Sequence, residues 1–421
     1  MVILRILALL FFVLSALTAI KLKSGWGQLI LFIPKLFAGS FIFVLAVLGF
    51  LTASLGWLVY RDAVSLVLGM GAFLIAVRYI YRMIKRSLAL SRVLPATPSD
   101  KYRKTMLPYP WTVLWRVRAD CRWQQDVPIG KHLETGEELL ADLWLPAETT
   151  TNPGTGIIYL HGSGWHYASK DFGTRHFFRH LAGQGHVIAD IAYTLAPKAD
   201  LFGMVADVKR AIDWIKSHAH EMGIDPNRIV LMGGSAGGHL ALLAGYTPNH
   251  PHLDPRDVTG DTSVYAVVSY YGPPDLAAQY DRFNELPGLT GKTKFERAFM
   301  SYLEARFGFK PVPVHQLLPE FLGGTPSQFP DLYALGSASN HIGQVCPPTL
   351  LLQGAHDFSG AAPEVWKLYT ALRQAGQTAF WLELPDTEHG FDLYKPKWSP
   401  AAQAATYITE RFLATFHVGS A

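Results

Sequence analysis

Three stretches near the N-terminus carry no charged side chain: residues 6–20 between Arg5 and Lys21, residues 36–60, and residues 63–77 before Arg78. The middle stretch alone is long enough to cross roughly 30 Å of hydrocarbon as a helix. The other two reach across if their basic flanks snorkel to the interface. Three membrane helices are therefore expected within residues 1–92. Two alternatives stay open: a cleaved signal peptide over residues 1–20, and a buried soluble hairpin over 36–81, which would lack any polar face to show water.

Beyond a Pro-, Ser- and Lys/Arg-rich linker spanning 93–119, the pattern changes to alternating strand and helix signals through residue 421. Runs at 123–133 and 139–145 predict an opening hairpin around Thr135-Gly136, and residues 186–193 read as a further strand. Val205, Val208, Ile212 and Ile215 recur at helical spacing, with a stop near Gly223 before a turn at Asp225-Pro226-Asn227. Val365, Leu368 and Leu372 mark another helix, and Ser399-Pro400 opens a terminal one. This alternation implies an α/β fold with a mostly parallel sheet covered on both faces. One segment breaks it. Residues 277–323 carry Phe283, Phe295, Phe299, Tyr302, Phe307, Phe309 and Phe321 among charges, and read as a helical insertion that either lids a pocket or only packs on the body.

Charge sharpens the division. Residues 1–92 hold ten lysines and arginines against one acid, Asp62, while the remainder holds 27 basic and 32 acidic residues. The net charge of +4 therefore arises in the membrane region, and with no basic run interleaved with aromatics it does not indicate nucleic-acid binding. Lys21, Lys23 and Lys35 precede the 36–60 run, and Arg78, Arg82, Lys85, Arg86 and Arg92 follow the third. Only Arg61 and Asp62 lie between. The positive-inside tendency then puts the C-terminal domain in the cytoplasm and the N-terminus outside. Cys121 and Cys346 are the only cysteines. They are too few for a disulfide framework and lack metal-ligand spacing.

The chemistry centres on Gly233-Gly-Ser235-Ala-Gly237, where an apolar strand gives way to a helix. In such a G-x-S-x-G turn the serine is strained and its hydroxyl stands clear of the sheet. Gly233 and Gly237 are needed because a Cβ there would strike neighbouring segments, and the Ala236 N–H faces the developing oxyanion. Upstream, Gly156–Leu160 reads as a buried strand opening into His161-Gly162-Ser163-Gly164-Trp165. Downstream, the strand ending at Gly354 precedes Asp357, and the strand ending at Pro385 precedes His389. Serine, acid and histidine thus occur in α/β-hydrolase chain order. Asp386 competes as the acid but precedes His389 on the same short loop. His356, His239 and His161 read as structural, and His218, His220, His250 and His252 as surface residues.

From about residue 120 to 416 the chain resembles the hormone-sensitive-lipase-like and feruloyl-esterase-like carboxylesterases of the α/β-hydrolase superfamily. The resemblance rests on His161–Trp165, Ala192-Tyr-Thr-Leu-Ala-Pro197, Gly223-Ile-Asp-Pro-Asn227, Gly233–Leu240 and His389-Gly-Phe391. It implies a serine hydrolase in which Ser235 attacks an acyl carbonyl, His389 carries the proton and Asp357 orients the histidine; the membrane region lies outside the resemblance, and the uncharged runs make the expected enzyme membrane-anchored. The resemblance also implies that the N–H groups of Ser163 and Gly164 join Ala236 in the oxyanion hole, with no metal or organic cofactor. Ser163 departs from the family glycine, and Gly234 from the acid that many members carry. An ester substrate of lipid-like character is expected. An amidase or acyltransferase using the same triad, or a non-catalytic hydrolase-fold protein, are the alternatives, and the oligomeric state stays open.

Overall fold

The computed structural model describes all residues except 22–25, 95–104, 113–119, 133–134, 148–153, 287–292, 295–296, 299–300, 302–311, 344–345 and 416–421. Phe295, Phe299, Tyr302, Phe307 and Phe309 of the insertion, Lys23, and much of the linker lie outside the described residues. The chain forms two compact units, one comprising Met1–Arg116, Gln353–Phe358 and Leu382–Ala421, the other Val117–Leu352 and Ser359–Trp381.

Four helices open the first unit: α1 (Val2–Ala19), α2 (Trp26–Ser40), α3 (Ile42–Tyr60) and α4 (Ala63–Ser91). Of these, α1, α3 and α4 are long and apolar enough to cross a membrane. Their packing is inside out relative to a soluble bundle. Ala46, Ala53, Ala72 and Ala76 are buried between helices, whereas Ile3, Leu58 and Val67 are 74%, 70% and 67% exposed. At the crossing of α3 and α4 a Cβ added to Gly69 would lie 2.5 Å from the Gly49 carbonyl oxygen, so only glycine lets these backbones meet. Small residues inside and large apolar ones outside is the arrangement of helices that pack in lipid. Asp62 ties the far end together. It accepts from the Arg5 guanidinium at 2.7 Å, caps α4 by accepting from the Ser65 backbone N–H at 3.3 Å, and also accepts from Ser65 Oγ at 2.6 Å, which sets the start of α1 beside the α3–α4 turn.

Two expectations change here. The uncharged run 36–60 is not one helix, because the helix breaks at Phe41. The side chains around the break are engaged elsewhere in the unit: Ser40 Oγ donates to the Tyr394 carbonyl at 3.1 Å, and Phe37 and Phe41 pack on Tyr394 and Trp398. The run 63–77 in turn continues as helix to Ser91, well beyond its first charge at Arg78. Extending it costs little, because straight-chain basic residues are good helix formers.

The sheet has eight strands: β1 (Cys121–Lys131), β2 (Glu138–Pro146), β3 (Gly154–Leu160), β4 (Val187–Ile191), β5 (Ile224–Gly234), β6 (Ala266–Tyr270), β7 (Thr349–Gly354) and β8 (Ala379–Leu384), in the order β1-β2-β4-β3-β5-β6-β7-β8. β1 and β2 form the expected hairpin, β2 pairs antiparallel with β4, and the pairings from β4 to β7 are parallel. β3, β4, β6 and β7 are buried at every position, as parallel strands covered on both faces must be. The covering helices are α5 (Arg175–Ala182), α6 (Leu201–Ser217), the short α7 (Ala219–Met222), α8 (Ala236–Tyr246), α9 (Leu276–Glu285), α10 (Leu317–Leu322), α11 (Pro330–Gly336) and α12 (Ala362–Gln374), and α13 (Pro400–Ala414) closes the chain. Val205, Val208, Ile212 and Ile215 are all fully buried on α6. The turn expected at Asp225-Pro226-Asn227 lies within β5 instead. The register with β3 jumps from Gly154↔Ile224 to Gly156↔Ile229, so the intervening residues bulge out, held by Asn227 N–H donating to Asp225 Oδ1 at 2.9 Å.

Candidate active site

β5 ends at Gly234 and α8 starts at Ala236, leaving Ser235 as the sole junction residue, with φ 55° and ψ −120°. Side chains rarely adopt that region, and strain of this kind persists only where surrounding structure enforces it. The enforcement is steric. A Cβ on Gly233 would sit 2.4 Å from the Gly237 backbone, and one on Gly237 would sit 2.0 Å from the Leu160 carbonyl oxygen. Strand and helix therefore meet at a distance only two glycines permit. Gly234 has its own reason: a Cβ there would lie 3.2 Å from the Tyr271 hydroxyl, so a phenol occupies the space an acidic side chain would need.

The turn after β3 passes directly against this elbow, since a Cβ on Gly162 would meet Gly234 O at 2.9 Å and Ser235 Cβ at 3.2 Å. Ser163, Gly164 and Trp165 all have positive φ, at 88°, 66° and 64°. Ser163 thus holds a backbone conformation suited to glycine, and its hydroxyl donates to the Gly162 and Tyr167 carbonyls, which ties the turn internally. His161 stacks on Tyr193 at 4.5 Å, and its carbonyl accepts from the Tyr193 hydroxyl. Burial lowers the His161 pKa to about 4, so it is a neutral structural ring. His239 is likewise neutral, its pKa lowered to about 4 by burial; it accepts from Trp165 Nε1 at 3.2 Å and donates to Gly336 O at 2.8 Å. The second half of the insertion packs on the same turn: Phe321 lies 5.1 Å from Trp165, and Glu320 accepts from His166 at 3.0 Å.

In the other unit, His389 Nδ1 lies 2.9 Å from Asp357 Oδ2. Burial by itself lowers the His389 pKa, but the Asp357 charge and hydrogen bond outweigh it and raise the value. The carboxylate favours the tautomer with the proton on Nδ1. Gln353 Nε2 also donates to Asp357 Oδ2, at 2.7 Å. The two loops touch through their backbones: a Cβ on Gly354 would sit 2.5 Å from Thr387 O, and His356 N–H donates to that same carbonyl at 2.9 Å. Asp386 points elsewhere, accepting from Arg82 Nη1 at 2.6 and 2.8 Å and from Arg78 at 3.4 Å. His356 is buried and held neutral, its pKa lowered to about 4 chiefly by desolvation.

The sequence reading missed Gln353, though a lone glutamine in the apolar run Thr349–Gly354 was a visible signal. It also missed the helix side chains that reach the histidine loop, which no local pattern reveals. Among the described residues no cluster of three or more His, Cys, Asp or Glu could hold a metal ion. A cleft lined by His132, Thr194, Asp207, Arg210 and Asp257 contains none of the site residues, and its polar side chains partner one another: Arg210 with Asp257 at 2.8 Å, His132 with Asp207 at 2.8 Å.

The strand order, the antiparallel second strand and the serine at a strained strand–helix junction define an α/β-hydrolase fold. Esterase 2 of Thermogutta terrifontis, solved as its tabun adduct, shares that fold with a TM-score of 0.54 over 75% of this chain and 100% of its own, at 22% identity. Residues 141–372, more than half of the chain, match the BD-FAE family model, and the chain belongs to that family. Among curated relatives, the probable carboxylic ester hydrolase LipM of Mycobacterium tuberculosis (strain ATCC 25618 / H37Rv) is 29% identical over 311 residues, covering 72% of this chain and 65% of LipM. Esterase LipC of the same organism is 30% identical over 257 residues, covering 60% of this chain and 57% of LipC. The chain thus spans less than two thirds of either relative.

Proposed function

We propose that this protein is a membrane-anchored serine hydrolase that cleaves carboxylic esters. The observation that carries the reading is Ser235, held at φ 55° between β5 and α8 with the 162–165 turn against it. In the mechanism Ser235 Oγ attacks the ester carbonyl while His389 Nε2 accepts its proton, with Asp357 stabilising the imidazolium. The oxyanion is met by the N–H groups of Ala236, Ser163 and Gly164. Collapse returns the proton to the leaving alcohol and leaves an acyl-Ser235 ester; water, deprotonated by His389, then releases the acid. The names of LipM and LipC support the ester-hydrolase class.

The substrate class is lipid-like. Within the first unit the histidine loop is held by α2 and the basic half of α4, and Ile33, Phe37, Tyr394 and Trp398 on the same elements are 64%, 41%, 36% and 37% exposed. Aromatic residues beside basic helix ends favour the membrane–water interface, where amphiphilic esters collect. Phe321 and Leu317 of the insertion, beside Trp165 and Gly164, supply apolar wall for an acyl chain. The purified chain in detergent should hydrolyse p-nitrophenyl esters with kcat/KM rising from acetyl toward medium and long acyl chains. A flat profile would remove the lipid-like assignment, and faster turnover of a matched anilide would make the protein an amidase.

For topology, α1, α3 and α4 span the membrane with Arg5 and the Arg61–Asp62 turn on the outer side and the α4 basic end on the cytoplasmic side. The Arg5–Asp62 pair supports placing both on one side. Protease added to sealed inside-out vesicles should digest the hydrolase domain, while intact cells protect it. The reverse pattern would place the domain outside.

A further inference from the structure

The three residues that precede His389 are each held by a different side chain of the N-terminal helices, within one compact unit. Asp386 accepts from Arg82 at 2.6 and 2.8 Å, with Arg78 at 3.4 Å. Tyr79 OH lies 3.2 Å from Thr387 Oγ1. Lys35 Nζ donates to Glu388 Oε1. A fourth contact reaches the acid loop: Phe32 packs on Phe358 at 4.6 Å, and Phe358 meets His389 edge-on at 5.5 Å.

The role of a membrane anchor explains none of this. A basic residue at the flank of a membrane helix lowers its free energy by reaching water or lipid headgroups, yet the Lys35 and Glu388 side chains are only 3% and 4% exposed. Burying an ion pair costs desolvation that its mutual attraction barely repays, so the pair contributes little to anchoring or stability. What it does contribute is position: Glu388 can leave the interior only by taking its neighbour His389 with it. Arg82 is partly exposed, but its Nη1 reaches both Asp386 oxygens in charge-assisted contacts of 2.8 and 2.6 Å, which hold the carboxylate in place.

We infer that α2 and α4 set the position of the general base, with Lys35, Tyr79 and Arg82 as positioning residues that act on His389 through the Asp386-Thr387-Glu388 loop. The inference rests on the serine-hydrolase reading above. On that reading, α2 and the basic half of α4 position the general base as well as belonging to the anchor, whereas the Arg5–Asp62 end of the helices has no part in it. A displacement of about 1 Å at a catalytic group costs on the order of 100-fold in rate, so partial loosening of the loop should appear in kcat before it appears in folding.

The test uses the full chain in detergent micelles, p-nitrophenyl butyrate and a fluorophosphonate probe. Lys35→Met and Arg82→Met should each lower kcat by about ten-fold or more with KM within about two-fold, and should slow probe labelling of Ser235 in step. Arg82→Lys should recover part of the loss. Adding Glu388→Gln to Lys35→Met should restore activity above the single variant, because the stranded charge is removed. Arg5→Met, which breaks the ion pair between α1 and the N-terminal end of α4, should leave kcat unchanged. The proposal is overturned if Lys35→Met and Arg82→Met keep wild-type kcat, if Arg5→Met falls as far as they do, or if the double variant is no better than the single. If the charge variants fail to fold, Tyr79→Phe decides: it removes one hydroxyl and no charge, and wild-type kcat and labelling rate in it would overturn the proposal. A wild type with no Ser235-dependent turnover defeats the hydrolase reading first, and the positioning role with it.

Discussion

Replacing Ser235 with alanine should abolish labelling by a fluorophosphonate probe and lower ester turnover by at least about 10⁴-fold, the scale seen when a triad nucleophile is removed. The fold should survive. The strain at φ 55° belongs to the backbone and Cβ, and alanine keeps both, so the melting temperature should stay close to that of the wild type. Intact-protein mass spectrometry after probe treatment reads the result directly: one adduct on the wild type, none on Ser235→Ala. Equal labelling of the two proteins would show that the nucleophile lies elsewhere and that the elbow is a structural junction.

Asp357→Asn should be nearly as damaging, on the order of 10⁴-fold in kcat, because an amide at that position leaves His389 in the wrong tautomer without disturbing the packing. Asp386→Asn should cost far less, since Asp386 bonds Arg82 and Arg78 and reaches the histidine only through the chain. The pH profile separates the two further. Only neutral His389 can accept the serine proton, so activity is lost as pH falls through its pKa. Burial would lower that pKa, but the Asp357 charge and hydrogen bond outweigh it. The acid limb of kcat/KM in the wild type should therefore lie above the ordinary histidine value of about 6.5. In Asp357→Asn the largest contributions opposing burial are gone and only the Asp392 and Glu388 charges still act against it, so the limb of the residual activity should move to lower pH. A larger loss in Asp386→Asn than in Asp357→Asn would overturn the choice of acid.

The elements legible in the chain were those whose signal is local. The helical recurrence of Val205, Val208, Ile212 and Ile215 and the apolar run at Thr349–Gly354 reflect single helices and strands buried along one face or on both, and that periodicity is written in neighbouring residues. Element ends were less legible. The break at Phe41 lies inside a uniformly apolar run, and the residues beside it contact Tyr394 and Trp398 some 350 positions away; the Asp225–Asn227 turn became a bulge because pairing with β3 resumed on its far side.

The candidate site divides along the same line. By itself the sequence determined Ser235, its two flanking glycines and the order of serine, acid and histidine, because an elbow needs small residues at set offsets and strand ends announce themselves by composition. Of two nearby acids it favoured Asp357, which follows a strand end, over Asp386, which precedes His389 on the same short loop. What only the tertiary structure decided is the physical partner of each: Arg78 and Arg82 lie on Asp386, and His389 and Gln353 on Asp357. It also made Lys35, which read as a basic flank of a membrane helix, and Tyr79, a residue of the second helix of the hairpin, into partners of the histidine loop. Charge pairing between residues three hundred positions apart depends on where the fold brings them and on the low dielectric it creates there, and neither quantity is encoded in any window of the chain.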